Sequence, residues 1–201
     1  LMEHRLSAVL AGKVYEYYGR NCVGQIKENP YDLARNLRGV GFKKADAIAI
    51  SLGFAVNSPL RLKACIQHVL ETSEHEGHCF LYHHQIISGT EEYLGFDMSD
   101  LVAEMLVELE TDEDIVVLRS DIDQNRYYGV RLYKNEQLCY RRMIELSKTA
   151  HDIEMNETAL VEQIKSRVGI ELSEQQKAAV IGMLRNGVSI LTGGPGVGKT
   201  A

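Results

Sequence analysis

Residues 27–54 read KENPYDLARNLRGVGFKKADAIAISLGF, and this stretch decides the fold of the first part of the chain. Apolar residues recur at helical spacing on both sides of the sequence Gly39-Val40-Gly41. Glycine permits the backbone angles of a tight reversal, and the helical spacing resumes directly after it. The stretch therefore predicts two short helices joined by a Gly-x-Gly turn.

Two lysines, Lys43 and Lys44, fall in the first turn of the second helix, where the helix dipole favours acids instead. Backbone N–H groups of the turn, with these ammonium groups, would hold one DNA phosphate without regard to base sequence. Gly39, Gly41, Lys43 and Lys44 are therefore candidate DNA-binding residues. The alternative is a packing turn with solvated lysines.

The composition predicts a protein with a substantial core. The chain has 201 residues, of which 45% are hydrophobic, enough for more than one compact unit. No run approaches the roughly 18 apolar residues of a membrane span, so we expect no membrane partner. The four cysteines are scattered, which favours a reducing cytoplasm over a disulfide framework.

The charge is distributed unevenly along the chain. The net charge is −6, but no Lys or Arg lies between Ala64 and Leu118, where thirteen acids fall. The rest of the chain carries +7. We expect DNA contacts in the flanks, because the acidic segment would repel a phosphate backbone. The acidic segment itself favours protein partners or structural packing.

The middle of the chain differs from the first part in its predicted secondary-structure elements. Residues 58–77 predict an amphipathic helix with Leu62, Ile66, Val69 and Leu70 on one face, and residues 98–110 predict another. Residues 114–133 read as two strands around a polar turn. Helices followed by a hairpin indicate a winged-helix-like domain, here residues 58–150, after a first region at 1–57. The predicted fold is mainly α with a small β component.

A phosphate-binding motif closes the sequence. Gly193, Gly198, Lys199 and Thr200 fit G-x-x-x-x-G-K-[ST], after an apolar run, VSIL, that predicts a strand. Lys199 would bind the outer phosphates of ATP as the catalytic residue, and Thr200 would hold magnesium. The candidate nucleotide-binding residues here are Gly193, Gly194, Pro195, Gly196, Val197, Gly198, Lys199, Thr200 and Ala201. The alternative is a glycine-rich turn that matches by accident.

Gln176 lies seventeen positions before Gly193 and has two readings. Its amide could donate to and accept from one edge of adenine. Ser173-x-x-Gln176 is also a capping box, in which Gln176 would bond the backbone N–H of the cap residue. The residues leave both open.

A histidine-rich stretch, residues 75–84, contains His75, His78, Cys79, His83 and His84. Their spacing fits no common zinc pattern, which pairs Cys or His elements across a loop. A modest pH sensitivity is the alternative to a metal site.

With these residues together, the chain resembles RecD-like ATP-dependent DNA helicases of superfamily 1B, the N-terminally extended family related to the exodeoxyribonuclease V alpha subunit. The resemblance rests on residues 27–54, on EGHCFL (residues 76–81), and on LSEQQKAAV (residues 172–180) with LTGGPGVGKT (residues 191–200). It implies a helix-hairpin-helix region, a winged-helix-like segment, and then a linker helix and the truncated start of a P-loop α/β motor domain at 151–201.

The resemblance also implies a function. Gln176 takes the family's adenine-reading role, and the glycine loop, residues 193–200, binds ATP and magnesium. Single-stranded DNA and tailed duplexes become the expected partners, and a bacterial cytoplasm the expected location. We expect an inactive N-terminal and middle fragment of a 5′→3′ helicase acting in DNA repair or recombination. The alternative is a noncatalytic DNA- or protein-binding module of another P-loop ATPase, such as a ring-forming one.

Overall fold

The computed structural model describes residues 8–148, 156–169 and 171–196. Its α-helices are α1 (Ala8–Tyr18), α2 (Cys22–Glu28), α3 (Asp32–Asn36), α4 (Phe42–Ser51), α5 (Pro59–His75), α6 (His83–Leu94), α7 (Ser99–Thr111), α8 (Val130–Ser147), α9 (Glu157–Val168) and α10 (Glu174–Arg185). Its strands are β1 (Leu81–Tyr82), β2 (Ile115–Leu118) and β3 (Arg126–Gly129). The prediction of a mainly helical fold with a small β component is confirmed.

The chain divides into two compact units between Lys134 and Asn135, inside α8. The boundary that the sequence predicts at residue 57 falls within the first unit. Side chains from both sides of residue 57 share one core in that unit, as the following contacts show.

A first core cluster lies among α1 to α4. Val14 of α1 is fully buried, and it packs with Ile26 of α2 and Leu33 of α3. Val40 of the Gly-x-Gly turn and Ile48 of α4 complete the same cluster. The turn is therefore fixed to the core by its central residue, while its two glycines stay exposed.

Helix α4 is apolar on more than one face. Ile48 belongs to the first cluster, whereas Phe42, Ala45 and Ala49 join a second, larger one. That second cluster is formed mainly by α5, α6 and α7, whose buried members include Leu62, Cys65, Ile66, Val69, Leu70, Ile86, Leu94, Val102, Met105, Leu106 and Leu109. Because α4 contributes to both clusters, the hairpin of α3 and α4 is packed onto the later helices.

The three strands form an antiparallel sheet in the order β1-β3-β2. In the β2–β3 hairpin, Ile115 pairs with Gly129 and Leu118 pairs with Arg126. Ile115 is buried in the second cluster. Two strands are present in residues 114–133 as predicted, but the second ends at Gly129, and residues 130–133 begin α8 instead. Strand β1 was not predicted, because a strand of two residues is too short to show a periodic pattern.

Helices α5 and α6 approach each other closely at Gly89. A Cβ atom at Gly89 would lie 2.7 Å from Cγ1 of Val69. Carbon atoms do not approach that closely without a shift of one element, so glycine permits this packing. The second cluster thus depends on a glycine that sequence periodicity alone does not single out.

The described part of the second unit contains α9 and α10. The Asn156 side chain accepts a hydrogen bond from the Ala159 N–H at 3.1 Å, which caps the start of α9. Arg185 of α10 pairs with Glu157 of α9 at 2.7 Å. The predicted helices of this region are present.

The strand predicted at residues 188–191 is wrong for this structure, where these residues have no strand pairing. Ile190 is 83% exposed. A strand needs a neighbour for its backbone N–H and C=O groups, and the only sheet within the described residues is the one in the first unit. Among the described helices, none is both long and apolar enough to cross a bilayer.

Candidate nucleic-acid interface

The turn between α3 and α4 takes its shape from Gly39. Its φ is 88°, in the left-handed region that glycine enters without steric cost. The Val40 N–H donates to the Leu37 carbonyl at 3.1 Å, which closes the turn. Gly41 is extended, with φ −97° and ψ 174°, and it is the cap residue of α4. The predicted helix–turn–helix arrangement is confirmed.

Two ammonium groups lie on consecutive carbonyl oxygens of this turn. Lys44 Nζ donates to the Gly39 carbonyl at 2.9 Å, and Lys13 Nζ of α1 donates to the Arg38 carbonyl at 3.4 Å. Both lysines are exposed. The positive charge at the turn therefore comes from two helices, of which the sequence analysis identified only one.

A groove of about 350 Å³ opens beside these groups. The residues lining it are Val9, Leu10, Lys13, Arg38, Gly39, Val40, Lys44, Ala47 and Ile48. We call this the basic groove. It holds three cations, and no Asp or Glu is among its described lining residues. An anionic ligand suits such a groove, because no carboxylate there competes for the cations.

Lys43 lies elsewhere, although it is adjacent to Lys44 in sequence. Its Nζ sits 5.4 Å from the centroid of the Tyr93 ring of α6, a cation–π contact. The structure thus separates the two lysines that the sequence grouped together. Lys44 and Gly39 line the basic groove, whereas Gly41 and Lys43 do not belong to its lining.

Phe42 positions the start of α4. It is 4% exposed, and its ring stacks on Tyr31 at 6.0 Å and on His68 at 5.3 Å between centroids. Burial and the nearby Lys43 charge together lower the pKa of His68. An aromatic cluster around Phe42, the first residue of α4, therefore fixes the position of the hairpin formed by α3 and α4.

A buried ion pair holds α4 to α5. Arg61 Nε and Nη2 donate to the two Asp46 carboxylate oxygens at 2.7 and 2.8 Å, and the Tyr31 hydroxyl donates to Asp46 Oδ1 at 2.8 Å. The hydrogen bond to Asp46 raises the pKa of Arg61, and burial raises that of Tyr31. Burial also raises the pKa of the neighbouring Cys65 thiol to about 12, so this thiol stays protonated at neutral pH.

A larger cleft of about 740 Å³ lies in the same unit, among α3, α5 and the hairpin of β2 and β3. Ion pairs cross it: Arg35 with Asp114 at 3.1 Å, and Arg131 with Glu74 at 2.6 Å. Both signs of charge line this cleft. It is therefore a less suitable phosphate site than the basic groove.

The acidic segment is partly neutralised by cations from its flanks. Lys63 pairs with Glu108 and Asp112 at 2.9 and 2.8 Å, and Arg119 pairs with Glu110 at 2.6 Å. With Glu74 and Asp114, five of the thirteen acids have a partner. The expectation of a wholly uncompensated segment is corrected, because the fold brings flanking Lys and Arg onto it.

The nucleotide-binding candidates are only partly described. The Gln176 side chain accepts from the Ser173 N–H at 2.9 Å, while the Gln176 N–H donates to Ser173 Oγ at 3.3 Å. The capping box is confirmed. In the described half of the glycine loop, Gly193 to Gly196, Gly196 has φ 77°. Val197, Gly198, Lys199, Thr200 and Ala201 lie outside the described residues.

A Cβ atom at Gly194 or Gly196 would meet no described atom within 4 Å. The side chains of the histidine-rich stretch, residues 75–84, do not converge on one point. His84 stacks on Tyr82, and the His83 ring lies 6.0 Å from the Tyr127 ring. Within the described residues, no three His, Cys, Asp or Glu side chains gather as a metal site would require.

The first unit thus contains a helix-hairpin-helix with a basic groove at its turn. Residues 1–80 match the family model described as the ATP-dependent RecD2 DNA helicase HHH domain. This match supports a RecD2-type DNA helicase region with DNA-binding character. It extends past residue 57 into α5, in agreement with the core that α4 and α5 share.

Lys13 and Arg38 were missed by the sequence analysis. Arg38 lies one residue before Gly39, so its proximity to the turn was available from the sequence. Lys13 lies 26 residues before Gly39 in the sequence, and only the packing of α1 on α3 and α4 brings it to the turn. A search for cations near the turn in sequence would have found Arg38 alone.

Proposed function

We propose that this protein is an ATP-dependent DNA helicase of the RecD2 type, which moves 5′ to 3′ and acts in DNA repair or recombination. The observation that carries the proposal is the match of residues 1–80 to the helix-hairpin-helix domain of such helicases. In this proposal the first unit holds single-stranded DNA or a tailed duplex.

ATP binding is assigned to the glycine loop. Lys199 would bind the outer phosphates and Thr200 would hold magnesium, which offsets phosphate charge when ATP is bound. The φ of 77° at Gly196, which glycine adopts without steric cost, supports this assignment. Gln176 would read adenine, and its amide would exchange the bond to the Ser173 N–H for bonds to the base. Hydrolysis further needs an acid that holds magnesium and a group that orients water.

Residues 58–150 are assigned as a winged-helix-like domain. The order α5-β1-α6-α7-β2-β3, with the sheet order β1-β3-β2, supports this assignment. The β2–β3 hairpin would be the wing. Asp100 and Glu104 on α7 are exposed and make no ion pair with any described residue. This face of α7 would repel DNA, which supports protein contacts there.

The proposal is tested by ATP hydrolysis. We expect the full-length protein to hydrolyse ATP faster when single-stranded DNA is added, and Lys199→Ala to abolish hydrolysis while DNA binding persists. Gln176→Ala should raise the KM for ATP more than that for GTP, because only adenine loses its reader. DNA binding by the wild type without any hydrolysis would instead support the noncatalytic binding module.

A further inference from the structure

The basic groove collects positive charge that no described carboxylate neutralises. Lys13 Nζ and Lys44 Nζ bond to the carbonyl oxygens of Arg38 and Gly39, which are consecutive residues. Both lysines line the groove and are exposed. An anion in the groove would therefore be attracted by both charges.

Each ammonium group also keeps donors for a ligand. A lysine ammonium carries three N–H donors, and one is engaged at Lys13 and one at Lys44. Arg38 lines the same groove and is exposed. No carboxylate among the described residues forms an ion pair with Lys13, Arg38 or Lys44, whereas Arg35 and Lys63 of the same unit are paired with acids. Among the described residues of this unit, the groove therefore offers clustered cations to an outside anion.

Lys43, the neighbour of Lys44 in the sequence, shows which lysine of α4 belongs to the groove. Lys43 lies over the Tyr93 ring and does not line the groove. Consecutive residues of a helix project about 100° apart, so the first turn of α4 places Lys44 at the groove and Lys43 away from it. Lys13 of α1 is the second lysine at the groove.

We propose that the basic groove binds a backbone phosphate of DNA through Lys13, Arg38 and Lys44, and that Lys43 takes no part in this contact. This inference rests on the proposed DNA-binding function and specifies its residues. The contact carries no base specificity, since phosphates are the same at every sequence. Helix α1 thereby becomes part of the DNA-binding site beside the hairpin.

The test is the salt dependence of DNA binding. The affinity of the full-length protein for a labelled single-stranded oligonucleotide is measured by fluorescence anisotropy over a range of salt concentrations, without nucleotide. Each phosphate contact on single-stranded DNA contributes about 0.7 to the slope of log K against log salt. Lys13→Ala, Arg38→Ala and Lys44→Ala should each lower the slope by up to that amount, and the triple variant should lower it by the full amount of about 0.7 that one phosphate contributes.

Two control variants remove the same charge elsewhere. Lys43→Ala and Lys27→Ala, both at exposed positions outside the groove, should leave the slope unchanged. Lys44→Arg keeps the charge and should retain the slope, which separates charge from an effect on folding. The inference is overturned if the groove variants keep the wild-type slope, or if Lys43→Ala lowers it as much as Lys44→Ala. Absence of DNA binding by the wild type would overturn the proposed function as well.

Discussion

Phe42 is the residue at which the hairpin joins the larger core. It directly follows Gly41 and contacts rings from three places: Tyr31 before α3, His68 of α5 and Tyr93 of α6. Its burial couples the position of the turn to the second core cluster. The position of the turn is thus set in part by side chains that do not line the basic groove.

His68 makes the stability of this aromatic cluster depend on pH. Its pKa is lowered from an ordinary value of 6.5 by burial and by Lys43, so the unfolded chain binds a proton more readily than the folded chain. The stabilisation is fully present above about pH 6.5 and is lost as pH falls through the lower pKa of the folded state. We expect His68→Phe, which keeps the ring, to reduce the loss of melting temperature between pH 7 and pH 5.

Thermal unfolding followed by circular dichroism across that pH range measures this difference. His75→Phe is a suitable control, because His75 lies at the end of α5. Identical pH profiles for wild type and His68→Phe would show that the aromatic cluster does not sense protonation.

The Asp46–Arg61 pair is expected to matter far more to stability than the surface pairs. Asp46→Asn leaves the Arg61 cation buried, with its side chain 9% exposed, beside an uncharged amide. Removing one partner of a buried pair costs about 3–5 kcal/mol. Asp114→Asn, which breaks the exposed pair with Arg35, should cost at most about 1 kcal/mol.

Urea denaturation gives the free energy of unfolding for both variants. Equal costs for Asp46→Asn and Asp114→Asn would contradict the role assigned to the buried pair, since the two changes remove the same charge.

At the scale of elements, the turn between α3 and α4 depends on one of its two glycines. Gly39 has φ 88°, whereas Gly41 has φ −97° and free space around a Cβ atom. We expect Gly39→Ala to destabilise the first unit by about 1 kcal/mol or more, because alanine is strained at that φ. Gly41→Ala should cost less, because any residue can adopt its backbone angles and only the preference for glycine over alanine at a cap position is lost.

Denaturant unfolding of the two variants provides the comparison. A larger loss of stability for Gly41→Ala than for Gly39→Ala would contradict this account of the turn.

Helices with strong apolar periodicity were predictable from the sequence. Leu62, Ile66, Val69 and Leu70 are buried on α5 as expected, because a helix that packs on one side must place its apolar residues three and four apart. The Gly-x-Gly turn and the β2–β3 hairpin were predictable for a similar reason. Their turn residues lie within a few positions of the elements they join.

Features that depend on distant parts of the chain were not predictable in the same way. Lys13 reaches the turn only through tertiary packing. The ion pairs of Lys63 with Glu108 and Asp112 join distant parts of the sequence and depend on where α7 ends. The strand predicted at residues 188–191 is absent because local apolar character does not supply a pairing partner. The capping box of Ser173 and Gln176 was predictable from the sequence, because it is a local feature.

At the scale of the molecule, charge is segregated within the first unit. The basic groove lies at the turn, and the acids of α7 are either paired with Lys63 and Arg119 or exposed. Of these two surfaces the basic groove is the better match for a phosphate, since the acidic helix would repel a nucleic acid.

The proposed strand separation by this protein is measured as ATP-dependent unwinding by the full-length protein of duplexes that carry either a 5′ or a 3′ single-stranded tail, with Lys199→Ala as the control. For a helicase that moves 5′ to 3′ we expect unwinding from the 5′ tail alone, lost in Lys199→Ala. DNA binding with no unwinding from either tail, or unwinding that persists in Lys199→Ala, would contradict it.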